Sequence, residues 1–201
     1  NAGSLTFTTA GAVSITENTA TDLAGASTAG SLALVSAAGI DDGAAATVTV
    51  TGNAAFSGTG VTLDNAAAHN FGSLTFTSAG AVSVTEASAT ELAGAGTAAS
   101  LTLVSAGAVT DAAGASLAVT GNASFDATAA AITLDGTLNF GSLTFNTTAG
   151  AVSITEASDT VLAGASTADS LALVSAGGIT DGAAATLTVD TGNAAFTGTS
   201  I

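Results

Sequence analysis

Apolar and polar residues alternate in short runs along the whole chain, and Gly, Ala, Asn or Asp separates one run from the next. Examples are "SLTF" at 73–76, "SLTL" at 100–103, "SLAV" at 116–119 and "AITL" at 131–134. A period of two is typical of β-strands that bury one face, and the intervening residues are typical of turns. Ala favours helices, but 25 Gly and abundant Thr, Ser and Val oppose them. The pattern predicts an all-β protein.

The strand pattern itself repeats at a fixed interval, since "GSLTF" occurs at 3–7, 72–76 and 141–145. A fixed period of this size indicates stacked structural repeats. Nearly identical strand phrases recur with few hairpin signals between them, which disfavours a propeller. We therefore expect a parallel β-solenoid with about four coils per repeat, spanning 1–201 as one continuous unit. Its repeats are 3–71, 72–140 and an incomplete 141–201.

The same alternation assigns interior and corner positions. We expect the Leu and Phe of "GSLTF" to point inward in every repeat. The Asn of "TGNA" is expected at a corner, because Asn tolerates left-handed backbone conformations and can form hydrogen bonds along a stack. The expected core residues are Leu5, Phe7, Leu74, Phe76, Leu143 and Phe145, and the expected corner residues are Asn53, Asn122 and Asn193.

The charge balance excludes several classes of partner. The chain has no Lys or Arg and a formal net charge of −15. It therefore lacks the basic surface that nucleic acid or an anionic membrane requires. The sequence has no uninterrupted apolar run long enough to predict membrane insertion. With no Cys, it also has no disulfide framework or thiolate metal site.

Calcium is the one cofactor that the composition leaves open, because hard cations bind clustered oxygen ligands. Asp42, Asp111 and Asp181 occupy one position of the repeat, and a second acidic position follows "AVSIT" or "AVSVT". The alternative is that these carboxylates lie on solvated turns, and the calcium-binding nonapeptide pattern is absent. We expect no cofactor, with calcium as the alternative. The residues of the second acidic position are Glu17, Glu86 and Glu156.

Catalytic groups are sparse, and the sequence predicts that the protein is not an enzyme. Its only histidine is His69, which we expect to be a turn residue and not part of a Ser-His-Asp arrangement. Carboxylate pairs such as Asp41 with Asp42 could serve a glycosidase. However, Trp, Tyr, Lys and Arg, which commonly bind sugars, are all missing. Outward threonines in "TVTVT" at 47–51 suggest an ice-binding face, but "SLAVT" in the second repeat interrupts that pattern.

The phrase "SLTLVSAGAVTD" at 100–111 and its relatives resemble the repeat tracts of bacterial filamentous-haemagglutinin-like exoproteins and large autotransporter-type surface proteins. The resemblance covers essentially the whole chain. It implies a long right-handed β-helical rod outside the cell, which serves adhesion, biofilm cohesion or display.

We therefore expect an extracellular bacterial structural rod or filament at the cell surface. Its expected partner is itself, either by covalent continuation of the array or by head-to-tail stacking of subunits. The alternative is an adhesin module that binds a glycan or another cell-surface ligand. The longest segments between expected strands, where a binding loop would lie, are 16–30, 85–99 and 155–169.

Overall fold

A computed structural model describes residues 2–65 and 69–201. Its strands pair in parallel and stack as a solenoid of about 9 turns, so the predicted parallel β-solenoid is confirmed. In chain order the strands are β1 (Ala12–Glu17), β2 (Thr21–Leu23), β3 (Ala26–Ala29), β4 (Ser31–Ser36), β5 (Gly39–Asp42), β6 (Thr47–Gly58), β7 (Gly60–Leu63), β8 (His69–Ser78), β9 (Ala81–Glu86), β10 (Thr90–Leu92), β11 (Ala95–Ala98), β12 (Ser100–Ser105), β13 (Val109–Asp111), β14 (Ser116–Asp126), β15 (Ile132–Leu134), β16 (Thr137–Asn146), β17 (Ala151–Glu156), β18 (Thr160–Leu162), β19 (Ala165–Ala168), β20 (Ser170–Ser175), β21 (Ile179–Asp181), β22 (Thr186–Val189) and β23 (Ala194–Thr197).

Each coil crosses the solenoid twice, once on each of two facing walls. A straight pass is one strand, such as β1, or the second half of a long strand, such as β6. A bent pass consists of two short segments, such as β2 and β3, which meet at a bend where Gly25 has φ 59°. Wall A begins with β1, which pairs with β4 and then with the second half of β6. Wall B contains β2 and β3, which pair with β5 and the first half of β6.

One repeat contains seven passes, four straight and three bent. Between Ala12 and Ser78 the passes alternate, beginning and ending with a straight one, and β9 then starts the next repeat with another straight pass. Because seven is odd, β9 lies on wall B, where it pairs with β7 and β12, whereas β1 lies on wall A. The third copy, β17, returns to wall A. Seven passes make three and a half coils, which is close to the expected four coils per repeat. The extra half coil rotates each repeat by half a turn about the solenoid axis relative to the one before it.

The core lies between the walls and is built from the inward residues of both. Leu74, Phe76, Leu143 and Phe145 are all 1% exposed or less. Leu5 and Phe7, in the first coil, are partly buried and pack against the same cluster. In the register Phe76 lies directly on Phe56, and Phe145 lies on Phe125. Alternation therefore fills the interior with a continuous stack of Leu, Val, Ile and Phe.

The "TGNA" asparagines act through their side chains. Asn53 and Asn122 lie inside β6 and β14, where the strand register shifts as the chain turns from one wall to the other. Ser73 donates to Asn53 Oδ1 at 3.0 Å, and Ser142 donates to Asn122 Oδ1 at 3.0 Å. Asn193 precedes β23, and its side chain is exposed.

The expected left-handed backbone is wrong at these asparagines. Among the described residues, the non-glycine positions with positive φ are Ala45, Thr128 and Ala184. Asn53 and Asn122 instead lie within extended strands, and their side chains accept hydrogen bonds from the coil above.

The expected loops at 16–30, 85–99 and 155–169 are also wrong. Each contains a bent pass of two short strands that pairs with the neighbouring coils, as β2 and β3 do in the first repeat. The small residues there suggest a loop because a bent pass divides the strand into two short segments. Within residues 2–65 and 69–201, no helix has the length and apolarity needed to span a membrane.

Candidate functional site

A buried glutamate marks each place where a straight pass lies over a bent one. On wall B, β9 ends at Glu86, which lies opposite His69 in the register. The strand beneath, β8, runs two residues further before it turns at Gly72, whereas the chain above has already left the wall. The Phe71 backbone amide donates to Glu86 Oε2 at 3.3 Å. The carboxyl group thus replaces strand pairing at the repeat junction.

The other two repeats use the same contact. The Phe140 amide donates to Glu156 Oε1 at 2.8 Å, and the Ala2 amide donates to Glu17 Oε2 at 3.1 Å. Two hydroxyl residues follow each glutamate at the second and fourth positions. We call each set of glutamate, amide donor and two hydroxyl residues a junction cluster. The clusters are Glu17 with Ala2, Thr19 and Thr21; Glu86 with Phe71, Ser88 and Thr90; and Glu156 with Phe140, Ser158 and Thr160.

Burial dominates the electrostatics of the second cluster. Glu86 is 2% exposed, and burial raises its pKa from 4.5 to about 7. The Phe71 amide, Thr90 and Ser88 oppose the rise because they stabilise the ionised form. Neither Glu86 Oε1 nor the nearby Thr90 hydroxyl completes a hydrogen bond, although both are buried.

The glutamate of the third cluster is also buried, and its carboxyl group accepts more hydrogen bonds from the two hydroxyl residues than that of Glu86 does. Glu156 is 1% exposed, and burial raises its pKa, with the charge of Asp159 adding to the rise. Thr160 donates to Glu156 Oε2 at 2.7 Å, and Ser158 donates to Oε1 at 3.1 Å. These bonds and the Phe140 amide lower the pKa but do not cancel the effect of burial.

These glutamates correct the interpretation of the second acidic position as solvated turns. All three side chains are buried. The sequence does carry a signal, because "TENTAT" at 16–21, "TEASAT" at 85–90 and "TEASDT" at 155–160 share Glu followed by hydroxyl residues at the second and fourth positions. The strand alternation that precedes each glutamate also places it on the inward face.

His69 is not a turn residue. It opens β8, its side chain is 0% exposed, and its Nε2 lies 2.8 Å from Asp42 Oδ2. The ring stacks on Phe71 with centroids 5.9 Å apart, and the buried Nδ1 has no hydrogen-bond partner. Leu138 occupies the equivalent place in the second repeat. The contact between His69 and Asp42 is therefore specific to the first repeat, because the second repeat folds in the same way with a leucine at this position.

The calcium candidates are not brought together. Asp42 Oδ2 accepts from the Asn65 amide at 3.1 Å as well as contacting His69. Asp111 accepts from the Gly136 amide at 2.6 Å and lies on the opposite wall, while Asp181 is exposed. Across the described part of the chain, no group of three or more His, Cys, Asp or Glu side chains has the arrangement to hold a metal ion. Asp42 and Asp111 instead bind backbone amides of the next coil.

Comparison with known families agrees with the period seen in the fold. Residues 10–78 and 79–148 match, in tandem, the family described as repeats of unknown function, DUF5649. The chain belongs to this DUF5649 family. Together the two matches cover more than half of the chain, and the second begins directly after the first ends. Each DUF5649 repeat therefore corresponds to seven passes and contains one junction glutamate, Glu17 in the first and Glu86 in the second.

A search of curated proteins and a search of solved structures found no match. The family match establishes the repeat and does not connect it to filamentous-haemagglutinin-like or autotransporter-type proteins.

Proposed function

We propose that this DUF5649 array is an extracellular structural rod of the bacterial cell surface, which supports adhesion or matrix cohesion. The observation that carries the proposal is that strand pairing continues across the repeat boundaries, where β9 pairs with β7 and β12, and β17 pairs with β15 and β20. A repeat that continues the ladder adds length without adding a new domain. The resemblance of the repeat phrases to surface exoproteins supports the same role.

The composition is consistent with a structural protein that resists proteolysis and oxidation outside the cell. The chain has no Lys or Arg, so trypsin-like proteases have no cleavage site even in an unfolded segment. The absence of Cys, Met and Trp leaves few side chains that oxidise readily. The partner in this proposal is the protein itself, through continuation of the array or head-to-tail stacking of coils.

Solution scattering on proteins with increasing numbers of the DUF5649 repeat tests the rod directly. At about 4.8 Å per coil, each added repeat is expected to lengthen the particle by about 17 Å without widening it. A particle that widens or becomes globular as repeats are added would contradict the proposal.

Antibody labelling of intact cells of the source organism tests the location, and staining that requires cell lysis would contradict it.

A second candidate function is a ligand-binding adhesin, and one surface feature favours it. A shallow groove of about 400 Å³ in the first coils is lined by Thr8, Thr9, Thr28, Thr49 and Thr51, together with two alanines. Hydroxyl groups in such a groove can form hydrogen bonds with a sugar. Binding to a glycan array that disappears in a Thr28→Val and Thr49→Val variant would support the adhesin, whereas a rod that acts only as a spacer binds no glycan.

A further inference from the structure

The second and third junction clusters each hold a buried carboxyl group, Glu86 and Glu156, in a chain that has no Lys or Arg to pair with it. Glu86 and Glu156 are 2% and 1% exposed. An ionised carboxylate taken out of water is strongly destabilising unless a positive charge or several hydrogen bonds compensate it. A neutral carboxyl group avoids that cost.

The groups that face Glu86 come from three neighbouring elements. From β8 beneath it come the Phe71 amide and His69. Ser88 and Thr90 face it from the turn that follows β9. Ser105 of β12 lies above it in the register. His69 is the one titratable side chain among these groups, and its Nε2 contacts Asp42 Oδ2.

The third cluster has the same arrangement without the histidine. The Phe140 amide comes from β16 beneath it, and Ser158 and Thr160 come from the turn after β17. Asp159 in that turn is the nearby charged residue, and its charge opposes ionisation of Glu156. Ser175 of β20 lies above Glu156 in the register.

We propose that the junction glutamates Glu86 and Glu156 are proton-operated locks: each closes its repeat junction as a neutral carboxyl group and loosens it on ionisation. A neutral carboxyl group accepts the amide hydrogen on one oxygen and donates its own hydrogen to a hydroxyl group. Glu86 Oε1 and the Thr90 hydroxyl are both buried without a hydrogen-bond partner, and Thr90 is one of the side chains that act on this carboxyl group. A proton on Oε1 would let the two groups satisfy each other. An ionised carboxylate needs water, which reaches this site only if the end of the strand moves away.

The direction of the pH effect follows from burial. Glu86 has an ordinary pKa of 4.5 that rises to about 7 in the folded chain. Between these values the folded state retains a proton that the unfolded state has lost, so the stabilisation is complete below pH 4.5 and falls as pH rises through about 7. The lock concerns the fold itself and stands whether or not the rod acts as an adhesin.

Denaturant unfolding followed by circular dichroism at about pH 5.5 to 8 tests the lock. The wild-type midpoint is expected to fall as pH rises. In the Glu86→Gln and Glu156→Gln double variant the side chains stay neutral, so most of that fall should disappear. Glu91→Gln removes an exposed carboxylate and should retain the wild-type slope, and His69→Leu should retain the part contributed by Glu156. A double variant with the full wild-type slope would overturn the proposal.

A titration of the wild-type protein covers the case in which the double variant fails to fold. The chain has only four glutamates, Glu17, Glu86, Glu91 and Glu156, so side-chain carbon labelling of glutamate gives four carboxyl signals in an NMR spectrum. Two signals should titrate above the ordinary glutamate range, and single Gln variants should assign them to Glu86 and Glu156. If all four signals titrate together near the ordinary glutamate range, the locks do not exist.

Discussion

Val13 and Val82 hold the same position in consecutive repeats and lie on opposite walls of the solenoid. Val13 pairs with Leu32 on wall A, whereas Val82 pairs with Val61 and Leu101 on wall B. The third copy, Val152, pairs with Ile132 and Leu171 on wall A. The repeats are therefore related by a half-turn combined with an advance along the axis. A surface residue at the same position of successive repeats therefore lies on alternate sides of the rod.

The first prediction concerns this alternation. Because the chain has no Cys, single cysteines placed at the outward positions Ser14, Ser83 and Ser153 can be labelled selectively. Biotin and streptavidin attached at Ser14 and Ser83 should appear on opposite sides of the rod in electron micrographs. Labels at Ser14 and Ser153 should lie on the same side, about 34 Å apart along the axis. Labels on one side for both pairs would contradict the half-turn.

The sequence predicted the solenoid because alternation and period are both local signals. It did not predict the half-turn, since that depends on how many residues each pass takes and therefore on the number of passes in a repeat. Coil length varies along the chain: the step from Leu74 to its partner Leu92 is shorter than the step from Val109 to its partner Ile132. The bend of a bent pass sets these lengths, and Ala and Gly at the bends give little indication of where one strand ends and the next begins.

The candidate site was harder to predict than the core. Glu86 follows an alternating strand, but its partner is the amide of Phe71 in the coil beneath, and backbone donors leave no mark in a sequence. Asp42 and His69 are far apart in the chain, and only the stacking of coils brings them together. Acidic residues in a chain without cations are most simply interpreted as exposed, which is why their burial was missed.

The second prediction tests the corner hydrogen bonds. Asn122 Oδ1 accepts from Ser142 at 3.0 Å and lies 3.2 Å from the Thr144 hydroxyl, which itself donates to the Ala163 carbonyl at 2.7 Å. Asn122→Ala should lower the free energy of unfolding by about 1–2 kcal/mol, because a hydroxyl group at the corner loses its partner. Asn193→Ala, at the exposed equivalent, should change it by less than about 0.5 kcal/mol. Equal effects in denaturant unfolding would show that these bonds do not stabilise the corner.

The third prediction concerns the buried pair of the first repeat. Asp42→Ala leaves His69 with neither ring nitrogen bonded, and this adds about 1–3 kcal/mol to the cost of the substitution. Combining Asp42→Ala with His69→Leu should recover that part, because both polar partners are then gone. The coupling free energy from the double-mutant cycle measures it.

A natural control for this cycle lies in the second repeat. Asp111 has Leu138 where Asp42 has His69, so Asp111→Ala should cost only the loss of its bonds to backbone amides. If Asp42→Ala costs the same in the wild-type protein and in the His69→Leu variant, the pair contributes nothing to stability.

The fourth prediction concerns the glycine that opens "GSLTF" in the second and third copies. Gly141 lies at a corner, where a Cβ atom would come 2.2 Å from the Thr120 carbonyl oxygen of the coil beneath, and Gly72 is equally close to Thr51. Backbone atoms cannot move aside as a flexible side chain can, so Gly141→Ala should lower the free energy of unfolding by about 1–3 kcal/mol through local separation of the coils.

Gly39→Ala is the matched control, since its Cβ would lie 3.9 Å from the nearest atom beyond its chain neighbours. That variant should be neutral or stabilised by up to about 1 kcal/mol, because alanine restricts the unfolded chain. Denaturant unfolding of the two variants compares them directly, and equal stability would mean that close stacking of coils is not what requires glycine at the start of the phrase.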